Sequence, residues 1–273
     1  MDRRLTPAND RVAHVALRGQ VAAERFVPGV PAQVMVPLTD LCAAPAGARD
    51  RQLLLGAAVT RLEDRGGWAF VQAAADGYVG WVASSALAEV AAAPTHRVVA
   101  AATHLYPGPD LKQRERARLS LGAALVVTGA AGAFLQTPHG WVPAGHLRPL
   151  DAPEPDPVAV AERLLGTPYL WGGNSRDGID CSGLVQAALL ACGRPCPGDS
   201  DLQEAALGTP LAAGAGLGRG DLVFWRGHVG WMLDDRRLLH ANAHHMAVAA
   251  EPLAAAAARI AAAGGGNWRA RRL

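Results

Sequence analysis

No run of the 273 residues reaches the ~18 uninterrupted apolar positions that a membrane-spanning helix needs; charge, glycine or proline breaks every candidate. The beginning is equally poor in leader character. Arg3 and Arg4 are present, but Pro7, Asn9, Asp10 and Arg11 interrupt the apolar run that should follow, so a cytoplasmic protein is the expectation. An excess of one charge sign is missing too. Twenty-six Lys and Arg against 24 Asp and Glu leave +2, which gives no reason to expect a nucleic-acid or membrane partner. The late arginines Arg269, Arg271 and Arg272 read as a solvated tail. Cysteine is scarce, with four residues: Cys42, Cys181, Cys192 and Cys196. A chain of this length carries its own core and does not need disulfides. Cys192 and Cys196 lack the second CxxC or HxxxH pair of a structural zinc site, so neither a metal nor a cofactor is expected.

What the chain does have is apolar residues, half of the total, many of them alanine. Residues 31–92 and 93–150 read as two small all-β modules, built of short apolar runs divided by turn residues. Gly80-Trp81-Val82 with Leu87 is echoed by Gly140-Trp141-Val142 with Leu147, and the Trp-to-Leu spacing is six in both. Both tryptophans are expected in the cores. Residues 1–30 are expected to hold a helix near Arg11 to Leu17. Asp151-Ala-Pro-Glu-Pro-Asp-Pro157 is a linker, because three prolines in seven residues suit neither strand nor helix. Residues 151–273 then change to mixed helix and strand, with helices at Val158–Leu165 and Cys181–Cys192, and strands at Asp221–Trp225, His228–Leu233 and Arg237–Ala241.

The chemistry concentrates around Asp180-Cys181-Ser182-Gly183. Leu184, Val185, Ala188, Leu189 and Cys192 recur at helical spacing, and Gly193 stands where a helix would stop. Asp180 is then the N-cap, and Cys181 sits in the first turn. Unsatisfied N–H groups there favour a thiolate and can hold an oxyanion. With a neighbouring imidazolium they can bring a thiol from ~8.5 to ~7 or below. Alone, such a cysteine reads as a small buried residue; it becomes a nucleophile only with a base. The candidate base is His228, which shares a strand face with Gly230 and Met232. His240 can orient it, with His244 and His245 as alternatives. If the intervening turn is centred on Asp234-Asp235, His228 and His240 fall one residue out of register, and spacing alone leaves their faces open.

Five motifs occur in order: Pro168-Tyr-Leu-Trp-Gly-Gly173, Asp180-Cys-Ser-Gly-Leu184, Gly220-Asp-Leu-Val-Phe224, His228-Val-Gly230 and Leu239-His240-Ala241. Residues 155–250 thereby resemble the NlpC-type cell-wall cysteine peptidases. The resemblance implies an α+β chain: a papain-like catalytic domain preceded by two SH3-like barrels. It puts the nucleophile on Cys181, the base on His228 and the third polar residue on His240. Tyr169 and Trp171 fall in the Pro-Tyr-x-Trp-Gly-Gly element, near the nucleophile and the substrate. The two modules narrow the likeness to γ-D-glutamyl-L-diamino acid endopeptidases, which cleave murein peptides after L-Ala-γ-D-Glu and require a free N-terminus. In that group Asp180, Ser182 and a first-module tyrosine, here Tyr78, would bind the substrate amine. The alternatives are a catalytically weak wall-peptide binding protein, or an amidase or acyltransferase on the same fold.

Overall fold

The computed structural model describes residues 1–212 and 214–273 and divides into two units, Met1–Asp151 and Ala152–Leu273. In the first unit a seven-stranded sheet runs Arg49–Leu54, Leu38–Cys42, Val79–Ala83, Trp68–Ala73, Ala58–Arg65, Val30–Val34, Leu87–Glu89. Side chains alternate across it. Ala69 and Val71 join Leu41, Val59 and Val82 in one cluster, while Phe70 joins Trp81, Val79, Leu62 and Val12 in another.

Val12 explains why the expected helix at Arg11–Leu17 does not form. Val12–His14 is instead a strand, paired in parallel with Arg25–Val27, and Val15–Leu17 is a single 3-10 turn. The Asn9 side chain accepts from the N–H groups of Arg11 and Val12, which turns the chain into an extended start. Burial of Val12 on the sheet then outweighs a weak helix propensity.

Residues 96–149 form three small sheets around Val98, Leu105, Leu119, Leu125, Val142 and Leu147, joined by Leu55 of the first module. The repeat is structural. Strand Val79–Ala83, 3-10 turn Ser84–Ala86 and strand Leu87–Glu89 recur as Gly140–Pro143, Ala144–His146 and Leu147–Pro149. The tryptophans are not equivalent. Trp81 is buried against Phe70, whereas Trp141 stays half-exposed, and Val142 and Leu147 carry the core in its place.

The second unit holds a six-stranded antiparallel sheet in the order Thr209–Pro210, Arg269–Arg272, Leu222–Trp225, His228–Met232, Arg237–Asn242, Ala247–Pro252. Helix Pro157–Glu162 starts where Asp156 accepts from the N–H groups of Val158 and Ala159, with Pro157 in its first turn. Helix Cys181–Ala191 packs across the central strands. It ends where Gly193, at φ 68°, lets its own N–H reach Leu190 and that of Arg194 reach Leu189. Helix Leu253–Ala262 covers another part of the sheet, its Leu253 and Ala256 packing with Met232, Leu238 and Trp225. Among the described residues no helix is long and apolar enough to cross a membrane.

Candidate active site

Cys181 opens its helix. Asp180 caps it, one carboxylate oxygen accepting from the Gly183 N–H at 2.6 Å and the Ser182 hydroxyl at 3.0 Å. The other oxygen accepts from the Gly172 N–H at 2.9 Å, which ties the Pro-Tyr-x-Trp-Gly-Gly loop to the helix start. Close approach of backbone dictates the glycines of this motif. A Cβ on Gly183 would lie 2.4 Å from the Gly173 carbonyl oxygen. Gln203, whose amide donates to the Ser182 carbonyl at 2.9 Å, holds the same turn from below.

The thiol is 7% exposed. Burial, followed by the Asp180 carboxylate, pushes it up to about 12, against the N–H groups of Val229, Ser182 and Cys181 itself. The expectation of a thiol near 7 therefore fails for the resting site. The residue that caps the helix also sets a negative charge beside the sulfur, and the apolar surroundings add to it. His228 is pushed down to about 3, first by burial and then by His240 and Arg259. The resting pair is thus a thiol and a neutral imidazole, and among the described residues no hydrogen bond joins them. The base has to take the proton as the sulfur attacks.

His228 and His240 do meet. Their Nε2 and Nδ1 atoms lie 2.7 Å apart. The register explains how. Trp231 pairs with Leu239 and Met232 with Leu238, and the Leu233 N–H donates to the Arg237 carbonyl, so the turn holds three residues, Asp234 to Arg236. Asp234 stabilises it by accepting from the N–H groups of Arg236 and Arg237. The turn is centred on Asp235, half a residue later than a two-residue Asp234-Asp235 turn would be. That changes the offset from one residue to two, His240 standing opposite Gly230, and both histidines face the same side. Gly230 lies between them because a Cβ there would meet the His240 Cβ at 3.0 Å and a Leu238 methyl at 2.8 Å.

His240 has 0% exposure, and its Nε2 lies 2.8 Å from Glu251 Oε1. Arg259 donates to both Glu251 oxygens. Neither residue was singled out in the sequence. The available signal was a lone acid closing the alanine-rich strand Ala247–Pro252, eight residues before an arginine. His245 takes no part in the pair; its ring and N–H both face Asn242 Oδ1. His240, His245 and Glu251 do bring three potential ligand atoms within 4.8 Å of one another. The Arg259 guanidinium, already on both carboxylate oxygens, opposes a cation there.

Tyr169 stands near the nucleophile. Its phenol is pushed up to about 12, chiefly by burial and further by the Asp180 carboxylate, so it stays a donor. Trp171 is 71% exposed and belongs to the surface. Tyr78 lies in the first unit, 2% exposed, in the cluster of Leu41, Val71 and Val82 with the Arg51 guanidinium 5.5 Å from its ring centre. The other three cysteines form no disulfide. Cys196 is buried with its S–H toward the Pro197 carbonyl, and burial raises Cys42.

The two histidines carry a prediction about stability. His228 and His240 are both held below 6.5 by burial. Below pH 6.5 the unfolded chain binds protons that the folded chain refuses, so stability must fall as pH drops from 6.5, by about 1.4 kcal/mol per pH unit for each histidine that stays neutral. Urea denaturation at pH 7 and pH 5 should show this loss, and His228→Gln should reduce it. An equal midpoint shift in the variant would show that other groups are responsible.

Residues 166–259 match the NlpC/P60 family, and residues 41–87 match the bacterial dipeptidyl-peptidase Sh3 domain. Dipeptidyl-peptidase 6 of Lysinibacillus sphaericus is 38% identical over 87 residues, 31% of this chain and 31% of that protein. Gamma-D-glutamyl-L-lysine dipeptidyl-peptidase of Bacillus subtilis (strain 168) is 36% identical over 95 residues, 32% of this chain and 31% of that protein. The aligned stretch thus spans less than about a third of either relative. The crystal structure of an NlpC/P60 family protein from Bacillus cereus ATCC 10987 superposes with a TM-score of 0.71 at 22% identity, covering 82% of this chain and 94% of that one, a likeness of fold. Residues 166–259 are thus an NlpC/P60 domain of papain-like fold, preceded at residues 41–87 by a bacterial SH3 domain of the dipeptidyl-peptidase type.

Proposed function

We propose that this chain is a cysteine peptidase that hydrolyses small murein-derived peptides bearing a free N-terminal L-Ala, cleaving after L-Ala-γ-D-Glu, in the recycling of wall fragments. The observation that carries the reading is the placement of Cys181 in the first turn of its helix, with Asp180 and Ser182 on either side and the His228–His240 pair on the neighbouring strands. The name of the Bacillus subtilis relative supports the γ-D-glutamyl linkage.

In this reading the Cys181 sulfur attacks the γ-carbonyl carbon of D-Glu while His228 Nδ1 takes the thiol proton. The Tyr169 phenol, kept protonated, and the N–H groups at the helix start supply donors for the oxyanion. The imidazolium returns its proton to the leaving amine of the diamino acid, and water then releases the acyl group from the sulfur. The test is incubation with L-Ala-γ-D-Glu-diaminopimelate and with its L-lysine counterpart, read by mass spectrometry. Release of L-Ala-γ-D-Glu from either is the expected result; no release from either, with Cys181 intact, overturns the reading.

A further inference from the structure

We infer that Glu251, clamped by Arg259, is a positioning residue that dictates which ring nitrogens of His240 and His228 carry protons. The inference rests on the reading of Cys181 and His228 as nucleophile and base, and deepens it.

The argument is one of donors and acceptors. An ionised carboxylate can only accept, so His240 Nε2, 2.8 Å from Glu251 Oε1, must carry the proton. His240 is fully enclosed, so no solvent offers another arrangement. A neutral His240 protonated on Nε2 has a bare Nδ1. That atom lies 2.7 Å from His228 Nε2, which must therefore be N–H. The remaining nitrogen of His228, Nδ1, is then the bare one and can accept the thiol proton. The opposite order would leave His228 protonated on Nδ1 and unable to act as a base. A buried acid that holds an imidazole in one tautomer is a known way to keep a base in its working form.

Arg259 has a separate task. A lone carboxylate beside His240 would favour the imidazolium, and an imidazolium donates from both nitrogens. His228 Nε2 would then have to accept, and its proton would move to Nδ1. With guanidinium nitrogens on both Glu251 oxygens, the carboxylate stays ionised, pushed down to about 2 chiefly by Arg259, while its charge is offset. The ion pair offers a strong acceptor without a net charge. The ionisable groups facing Glu251 are His240 from its neighbouring strand, Arg259 from the helix Leu253–Ala262, and His245, whose Nδ1 is 3.9 Å from Oε1.

The test needs no substrate. Two-bond nitrogen–proton correlation spectra of the full chain labelled at histidine, assigned with His228→Gln and His240→Gln, report the tautomers directly. Both His228 and His240 should carry the proton on Nε2 at pH 7.5; a proton on His228 Nδ1 overturns the inference, whatever any variant does. Alkylation of Cys181 by iodoacetamide, followed by mass spectrometry, then measures the consequence. Glu251→Ala should slow it at least about tenfold, and Arg259→Gln should move its acid limb to higher pH. A Glu251→Ala rate within about twofold of the wild type overturns the inference. His228→Ala separates the two readings. If it alkylates like the wild type, the base assignment has failed; if it is slow while Glu251→Ala is not, only the positioning role has failed.

Discussion

Cys181→Ala should lower hydrolysis of the free peptide by at least about a thousandfold while leaving the melting temperature nearly unchanged. The size follows from the chemistry. Removing the sulfur removes the covalent route entirely, and what remains is binding and the oxyanion donors. No other thiol can substitute. Cys192 lies at the far end of the same helix, where the dipole opposes a thiolate, Cys196 is buried against the Pro197 carbonyl, and Cys42 belongs to the first module. The fold should survive because the change deletes a single atom from a helix whose start is held by Asp180 and Gln203, not by the thiol. Steady-state rates beside a thermal melt decide the matter. A variant that retained a tenth of the wild-type rate would refute the nucleophile.

Acetylation of the peptide's N-terminus should cost at least about 100-fold in kcat/KM. A charge-assisted hydrogen bond between ammonium and carboxylate is worth about 1.5–3 kcal/mol, about 1.4 kcal/mol is a factor of ten, and the bulk of the acetyl group adds to that loss. The candidate carboxylate is that of Asp180, next to the nucleophile and half-buried. Its charge is one of the two influences that raise the Cys181 thiol. An ammonium bound beside it would offset that charge and ease the removal of the thiol proton. The loss on acetylation should therefore appear in kcat as well as in KM, whereas a merely steric pocket would act on KM alone. Equal kcat/KM for the free and acetylated peptides would leave Cys181 as the nucleophile and remove the requirement for a free amine.

Much of the site could be read from the sequence because its constraints are local. The cap, the first-turn thiol and the terminal glycine of one helix lie within fourteen residues, Asp180 to Gly193, and each has its own backbone reason. The histidine pair was legible as residues but not as geometry. Its facing depends on whether the turn after Leu233 has two residues or three, and Asp234 settles that with two side-chain hydrogen bonds that no periodicity reveals. The thiol's acidity was misread for a related reason. Asp180 was weighed as a cap, but a carboxylate that accepts from Gly183 also acts on the sulfur one residue away. Glu251 and Arg259 were not legible, because strand pairing and a helix return bring them to His240 across eleven and nineteen positions. In the first unit, the strand at Val12 was hidden because its stability comes from a sheet some fifty residues further along the chain.

The line from His228 through His240 and Glu251 to Arg259 crosses two strands of the sheet, the end of a third and a helix, in chain order. Synthesis delivers these groups one after another, with the thiol first and the guanidinium 78 positions later. A domain of this kind folds as a unit once its late elements are available. While still attached to the ribosome, the chain would thus hold a cysteine without an oriented base. Until the helix that carries Arg259 has emerged, neighbouring peptides would meet only an inert thiol.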